Sequence, residues 1–303
     1  MYTAYALVKF IDSRDSELRF RNFRIRQISS RGDIEDALAL FPGARINGTD
    51  WLYERAYQDS EVAKSAYGFG RIPGDVEDTL LLLRLYRPGD IIFTRHSIRE
   101  PSGALSIQFP QRIATEITTT SFFRFSQTEC DDWDDFKSEL TASQSWESRW
   151  FKIARRFFLY GGAKEFNPEW GDVDRVVDYM IALEAMLVPE RGYGIGQRLR
   201  KRAVTLLGLR DDAGKDAERF LGAFYEVRST LVHGSPLAVR HEKALKQMRQ
   251  FELLVRRVVV AALRQIPPDE DSRKKQLAGL YDVPLKALVQ EAARLLKEIE
   301  ERL

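Results

Sequence analysis

The chain reads as an α+β protein of two domains, a β-rich mixed domain over residues 1–128 followed by an all-α helical bundle over residues 129–303. Three observations predict this. In the first half, apolar and polar residues alternate over short runs, the two-residue period of a half-buried strand. In the second half, apolar residues recur every three or four positions between helix-start and helix-stop residues. Between them lies the acidic run Glu129-Cys130-Asp131-Asp132-Trp133-Asp134-Asp135, whose carboxylates complement the positive end of a helix dipole and mark the boundary.

The elements follow in order. Leu18 and Phe20 alternate with Arg19 and Arg21, the phase slips after Asn22, and Phe23 and Ile25 then alternate with Arg24 and Arg26, which predicts one strand with a bulge. Ile34–Leu40 and Asp75–Tyr86 are helix candidates. Ile91–Arg95 and Ala104–Phe109 flank Pro101-Ser102-Gly103 and predict a hairpin. The Thr-, Ile- and Phe-rich stretch from Ile113 to Phe125 predicts a further strand pair. Gly68-Phe69-Gly70-Arg71-Ile72-Pro73-Gly74 fits a turn better than a dinucleotide fingerprint.

The second half predicts helices over Trp146–Tyr160, Asp172–Val188, Gln197–Leu207, Ala213–His233 and Pro236–Gln265, then a C-terminal pair broken at Pro284. Ser235-Pro236 reads as an N-cap followed by proline in the first turn. Short connections imply antiparallel neighbours. Beyond Pro284, Leu285, Leu288, Ala292, Leu295 and Ile299 form a short heptad stripe, the apolar face of an amphipathic helix.

With 44% hydrophobic and 30% charged residues over 303 positions, the composition is that of an ordinary globular protein. No apolar run approaches the ~20 residues that span a bilayer. Met1–Lys9 lacks the charged start and cleavage site of a signal peptide, and Cys130 has no cysteine to pair with, so a cytoplasmic location is the expectation. Residues 1–150 hold 19 Lys and Arg against 23 Asp and Glu, a balance of −4; residues 151–303 hold 28 against 22, or +6. The basic excess therefore lies in the helical half, where it supports transient contact with a polyanion.

Chemistry concentrates in Arg228-Ser229-Thr230-Leu231-Val232-His233-Gly234. Ala217, Phe220, Leu221, Phe224 and Leu231 put Arg228 on the core-facing stripe of a helix that Gly234 and Pro236 should end just after His233. A cation on that stripe needs a partner. Glu184 falls on the stripe of Val173, Val176, Val177, Met180 and Leu187 on the preceding long helix, so the two charges should meet inside the bundle. His233 lies at the negative end of a helix dipole, a favourable place for a proton donor. Residues five apart on a helix differ by about 140° in direction, so Arg228 and His233 converge only through the reach of the arginine, a distorted helix end or a second protomer.

Three segments in order resemble the Apea-like branch of the HEPN superfamily. Asp174 to Leu187 resembles that family's first core helix and Leu199 to Gly208 its next. Phe224 to Gly234 carries its Arg-x4-His motif. The resemblance covers roughly residues 146–265. It implies a metal-independent endoribonuclease, without cofactor, in which Arg228 binds the scissile phosphate and His233 acts as general acid or base. Glu184 would orient Arg228, and Ser229 would help position substrate. It further implies a homodimer, a toxin-like or antiviral setting, and an N-terminal domain that senses a signal or restrains the enzyme, with a regulatory protein or antitoxin as a partner. The competing reading is a non-catalytic module binding RNA, a nucleotide or a protein, with Arg228 architectural.

Other candidates are plainer. Arg198, Arg200, Lys201 and Arg202 form a basic cluster after Gly192-Tyr193-Gly194-Ile195-Gly196 and are candidates for RNA contact, although the loop is not a P-loop and a solvated face is the preferred reading. The same holds for Arg19, Arg21, Arg24 and Arg26. His241 falls on an apolar spacing and reads as a core or boundary histidine, with service as a second acid or base the lesser alternative. With histidines only at 96, 233 and 241 and one cysteine, no metal-ligand spacing is present.

Overall fold

The computed structural model describes residues 1–58, 72–89, 91–108, 122–163, 171–190 and 192–280. It is a mixed fold, an antiparallel-sheet region followed by a helical region, and its contacts divide into two compact units at the Thr141/Ala142 junction. No helix among the described residues is long and apolar enough to cross a membrane.

The first unit is built on a six-stranded antiparallel sheet of order β3-β4-β5-β1-β6-β7. These are β1 (Tyr2–Lys9), β3 (Glu17–Arg19), β4 (Arg24–Gln27), β5 (Trp51–Tyr57), β6 (Ile92–Arg99) and β7 (Leu105–Gln108); β2 (Ile11–Asp12) pairs separately and in parallel with β8 (Phe123–Arg124). Ala4 to Val8 of β1 are all buried, because both faces of the central strand are covered. Helix α1 (Arg31–Leu40) closes one face through Ala37 and Leu40 over Tyr5, Leu7 and Leu52. Ser30 caps it, its hydroxyl accepting from the Asp33 N–H at 3.1 Å. Helix α2 (Ile72–Tyr86) packs on β1 and β6. The β6–β7 hairpin and both helices fall where the sequence predicts them.

Two expectations for this unit change. The Leu18–Arg26 stretch is not one bulged strand. It is a hairpin, with Leu18 paired to Ile25 and Arg19 to Arg24, closed by Phe20 N–H donating to Phe23 O at 2.9 Å. The phase slip at Asn22 marks the chain reversal itself, and alternation is the same on either arm. Secondly, the acidic run opens α3 (Cys130–Ala142), which packs in the sheet unit and not at the head of the helical one. Trp133 is fully buried with its ring edge-on to Phe20 and Phe23, at 4.9 and 5.3 Å, and Asp134 accepts from the Arg21 N–H at 2.8 Å. The tryptophan's burial outweighs the acidic composition in deciding where the helix goes. Residues 109–121, most of the expected strand pair, lie outside the described residues, as do Gly68 to Arg71 of the glycine-rich turn.

The helical unit consists of α4 (Arg149–Ala163), α5 (Gly171–Leu187), α6 (Ile195–Leu206), α7 (Asp211–Val232), α8 (Val239–Leu245), α9 (Met248–Gln265) and α10 (Glu270–Leu280). Helix α5 is its centre and contacts α4, α6, α7 and α9. Its last carbonyls are capped by two buried arginines from elsewhere in the unit. Arg202 donates to Leu187 O at 2.8 Å, and Arg273 donates to Met186 O at 3.2 Å. Four predicted helices match α4 to α7 within a few residues. The fifth does not, because the chain breaks at Lys246–Gln247 into α8 and α9. Helix α8 also starts later than Ser235-Pro236 suggests. His241 Nδ1 accepts from the Ala238 N–H at 3.1 Å and supplies the cap that serine was expected to provide. The heptad stripe beyond Pro284 lies outside the described residues.

Candidate functional site

The motif sits on α7. Leu221, Phe224 and Val227 are buried along one stripe, and Phe224 stacks on Phe251 of α9 with ring centroids 4.0 Å apart. Arg228 follows at the edge of that stripe and is half-buried. Its Nη2 donates to Glu184 Oε2 of α5 at 3.2 Å, the pair expected from the two apolar stripes. Arg228 Nε and Glu184 Oε1 are both sequestered from water, and neither has a hydrogen-bond partner among the described residues. Burial pushes the Glu184 carboxyl above the ordinary carboxylate value, and the Arg228 guanidinium pulls it only part of the way back.

Helix α7 ends as the sequence predicts. Gly234 adopts φ +67°, its N–H donates to Leu231 O at 3.0 Å, and the Ser235 N–H donates to Thr230 O at 2.9 Å, the paired bonds of a Schellman terminus. His233 is the C-cap residue and is exposed. Among the described residues, no side-chain hydrogen bond or ion pair holds its imidazole, and none joins it to Arg228 or Glu184. Ser229 is half-buried one residue beyond Arg228, and its carbonyl accepts from the His233 N–H at 3.2 Å. Arg228 and Glu184 are thus brought together, while His233 stands apart at the helix end with open solvent around it.

The four basic residues of α6 have different fates. Arg202 is only 1% exposed and binds both oxygens of Glu190, at 2.7 and 2.8 Å, so it is structural and unavailable for the RNA contact considered for it. Lys201 pairs with Glu218 at 2.7 Å. Arg200 donates to Gly196 O at 3.2 Å and lies against Gly222. Arg198 reaches Glu190 only at 4.0 Å, and its Nε and Nη2 are sequestered without an acceptor. On the sheet unit, Arg19, Arg21, Arg24 and Arg26 are each paired with a carboxylate, which neutralises the basic face that the sequence suggests.

Sequence reasoning passed over Tyr225. Its phenol is pushed up by burial and by Glu184, and drawn down by Arg228, Arg200 and Arg198, so all four charged groups act on one hydroxyl. Its ring lies over Gly196, where an added Cβ would come within 2.6 Å of Cε1; a side chain there would push α6 off α7. The signal available in the sequence was a tyrosine one helical turn before Arg228 opposite a small residue. That pairing is invisible until the two helices are docked.

His241 is buried, as expected, and is spent on the α8 cap. Among the described residues, no group of three or more His, Cys, Asp or Glu side chains is placed to hold a metal ion. Compared with protein-family models, with curated proteins and with solved structures, the chain matches none of them.

Proposed function

We propose that the chain is a metal-independent endoribonuclease of the HEPN type. The observation that carries this reading is Arg228: a guanidinium in a helical bundle, held on one side by Glu184, with its Nε unspent, five residues ahead of an exposed helix-terminal histidine. RNA supplies its own nucleophile. The 2′-oxygen attacks the adjacent phosphorus, the bond to the 5′-oxygen breaks, and the products are a 2′,3′-cyclic phosphate and a 5′-hydroxyl. Arg228 stabilises the charge that builds on the phosphoryl oxygens, with Glu184 fixing the plane of its guanidinium. His233 moves the proton, as base toward the 2′-hydroxyl or as acid toward the leaving oxygen. Ser229 assists in positioning. A homodimer belongs to the same proposal, because a second protomer is the simplest way to bring a histidine to each Arg228. So does control by the sheet unit in a defence or toxin-like setting, with an antitoxin or other regulator.

A second reading, a non-catalytic module that binds RNA, a nucleotide or a protein, draws on a specific observation: His233 has no orienting partner among the described residues. One assay separates the two. Purified protein is incubated with labelled RNA in chelator, with His233→Ala beside it. Cleavage by the wild type and its loss in the variant support the enzyme; intact RNA in both supports the binding module.

A further inference from the structure

We propose that Arg198 is a second phosphate-binding residue, which together with Arg228 forms a two-guanidinium cradle beside the Tyr225 phenol. Four cations stand on α6 within five residues, and three are engaged. Arg200 is folded over Gly222, where an added Cβ would come within 2.6 Å of its Nη1, and Lys201 and Arg202 hold Glu218 and Glu190. Arg198 is the exception. The carboxylate that reaches toward it, Glu190 at 4.0 Å, already gives both oxygens to Arg202.

Arg198 therefore carries two sequestered N–H groups, on Nε and Nη2, with no acceptor among the described residues, although its side chain remains 15% exposed. Arg228 carries a third on Nε and is 23% exposed. Unmet donors on a charged, largely buried group are costly to keep, and an oxyanion that enters from solvent satisfies them. Both arginines border one seam between α6 and α7: the Tyr225 ring lies against Gly196, two residues before Arg198, and Arg228 follows Tyr225 by about one helical turn, with the Tyr225 hydroxyl feeling the charge of both. Planar guanidinium forks match phosphate oxygens better than a point charge does, so the ligand class is a phosphate group, in RNA or in a free nucleotide.

This deepens the ribonuclease reading, since it assigns the cradle to the phosphates of the same RNA, but it is tested by binding, so that the two fail separately. The full chain is titrated into fluorescein-labelled single-stranded RNA, and separately with ATP, at several salt concentrations. Arg198→Gln is compared with wild type and with Arg219→Gln, whose exposed side chain pairs with Asp216 on the opposite face of α7. Arg198→Gln should weaken RNA binding about 10-fold or more and flatten the salt dependence by roughly one unit of slope, with Arg219→Gln within about 2-fold of wild type. If Arg198→Gln does not fold by circular dichroism, Arg198→Lys takes its place; it keeps the charge, loses the fork, and should still bind several-fold more weakly. RNA bound in this Arg198-dependent way but left uncut, or ATP bound in its place, keeps the cradle and removes the ribonuclease. Equal binding by wild type and Arg198 variants, equal losses at Arg198 and Arg219, or no binding of either probe by wild type overturns the proposal.

Discussion

Arg228 and Glu184, separated by 44 residues of sequence, meet across 3.2 Å between α7 and α5, each side chain a little over one-fifth exposed. Such a pair contributes modestly as a salt bridge, because water still reaches part of it. Its larger consequence is orientation, since a guanidinium gripped on one edge presents its remaining donors in a defined direction.

Arg228→Ala is therefore expected to abolish RNA cleavage and to cost about 1–2 kcal/mol of stability, as it leaves a largely buried Glu184 unpaired. Glu184→Gln, which keeps the shape and one acceptor, should cost less than about 1 kcal/mol and reduce cleavage without abolishing it. Urea titrations and cleavage rates on the same preparations check both. Full activity in a folded Arg228→Ala protein contradicts the assignment of that residue.

His233 separates chemistry from architecture. Its side chain is exposed at a helix end that backbone bonds and Gly234 already close, so His233→Ala should change stability by no more than about 0.5 kcal/mol while lowering cleavage by about 10²-fold or more. A substrate with deoxyribose at the cut site should resist the wild type entirely. Equal cleavage of the deoxy substrate would falsify the internal nucleophile.

Assembly is the third expectation. Val232 and Val239, 55% and 68% exposed, flank His233 on either side of the α7 terminus. If the motif helices meet across a dimer, Val232→Lys should shift the light-scattering mass from dimer to monomer and reduce cleavage together. Mixing inactive Arg228→Ala and His233→Ala protomers should restore some activity. A wild type that is fully active at its monomer mass of 35.0 kDa contradicts the arrangement.

The sheet unit carries a pH dependence of its own. His96 on β6 has its Nε2 sequestered without a partner, and burial lowers its pKa from 6.5 to about 4. The unfolded chain therefore takes up this proton at higher pH than the folded one. The stability tied to neutral His96 is full above pH 6.5 and is lost as the pH falls toward 4, by up to about 3 kcal/mol. Urea unfolding at pH 7, 5.5 and 4 should show that decline in wild type and a shallower one in His96→Gln. Parallel curves for the two proteins would assign the acid sensitivity to other groups.

Local order was legible in the residues themselves. The Ala217–Leu231 periodicity, the Gly234 stop and the stripe bearing Glu184 follow from backbone geometry and side-chain size, which act within a few residues, so α5, α7, the Schellman terminus and the Arg228–Glu184 pairing could be read before any packing was known. What depended on distant partners could not. Trp133 draws an acidic helix onto the sheet unit, and His241 displaces Ser235 as the cap of its helix. Among the four cations on α6, Arg198 keeps two sequestered donors without an acceptor among the described residues, because Glu190 binds Arg202, while Glu218 holds Lys201 and Gly196 O takes the Arg200 Nε–H. Charge is written in the sequence, but whether a charge is already neutralised is decided by which carboxylates the tertiary fold brings within 3 Å of it.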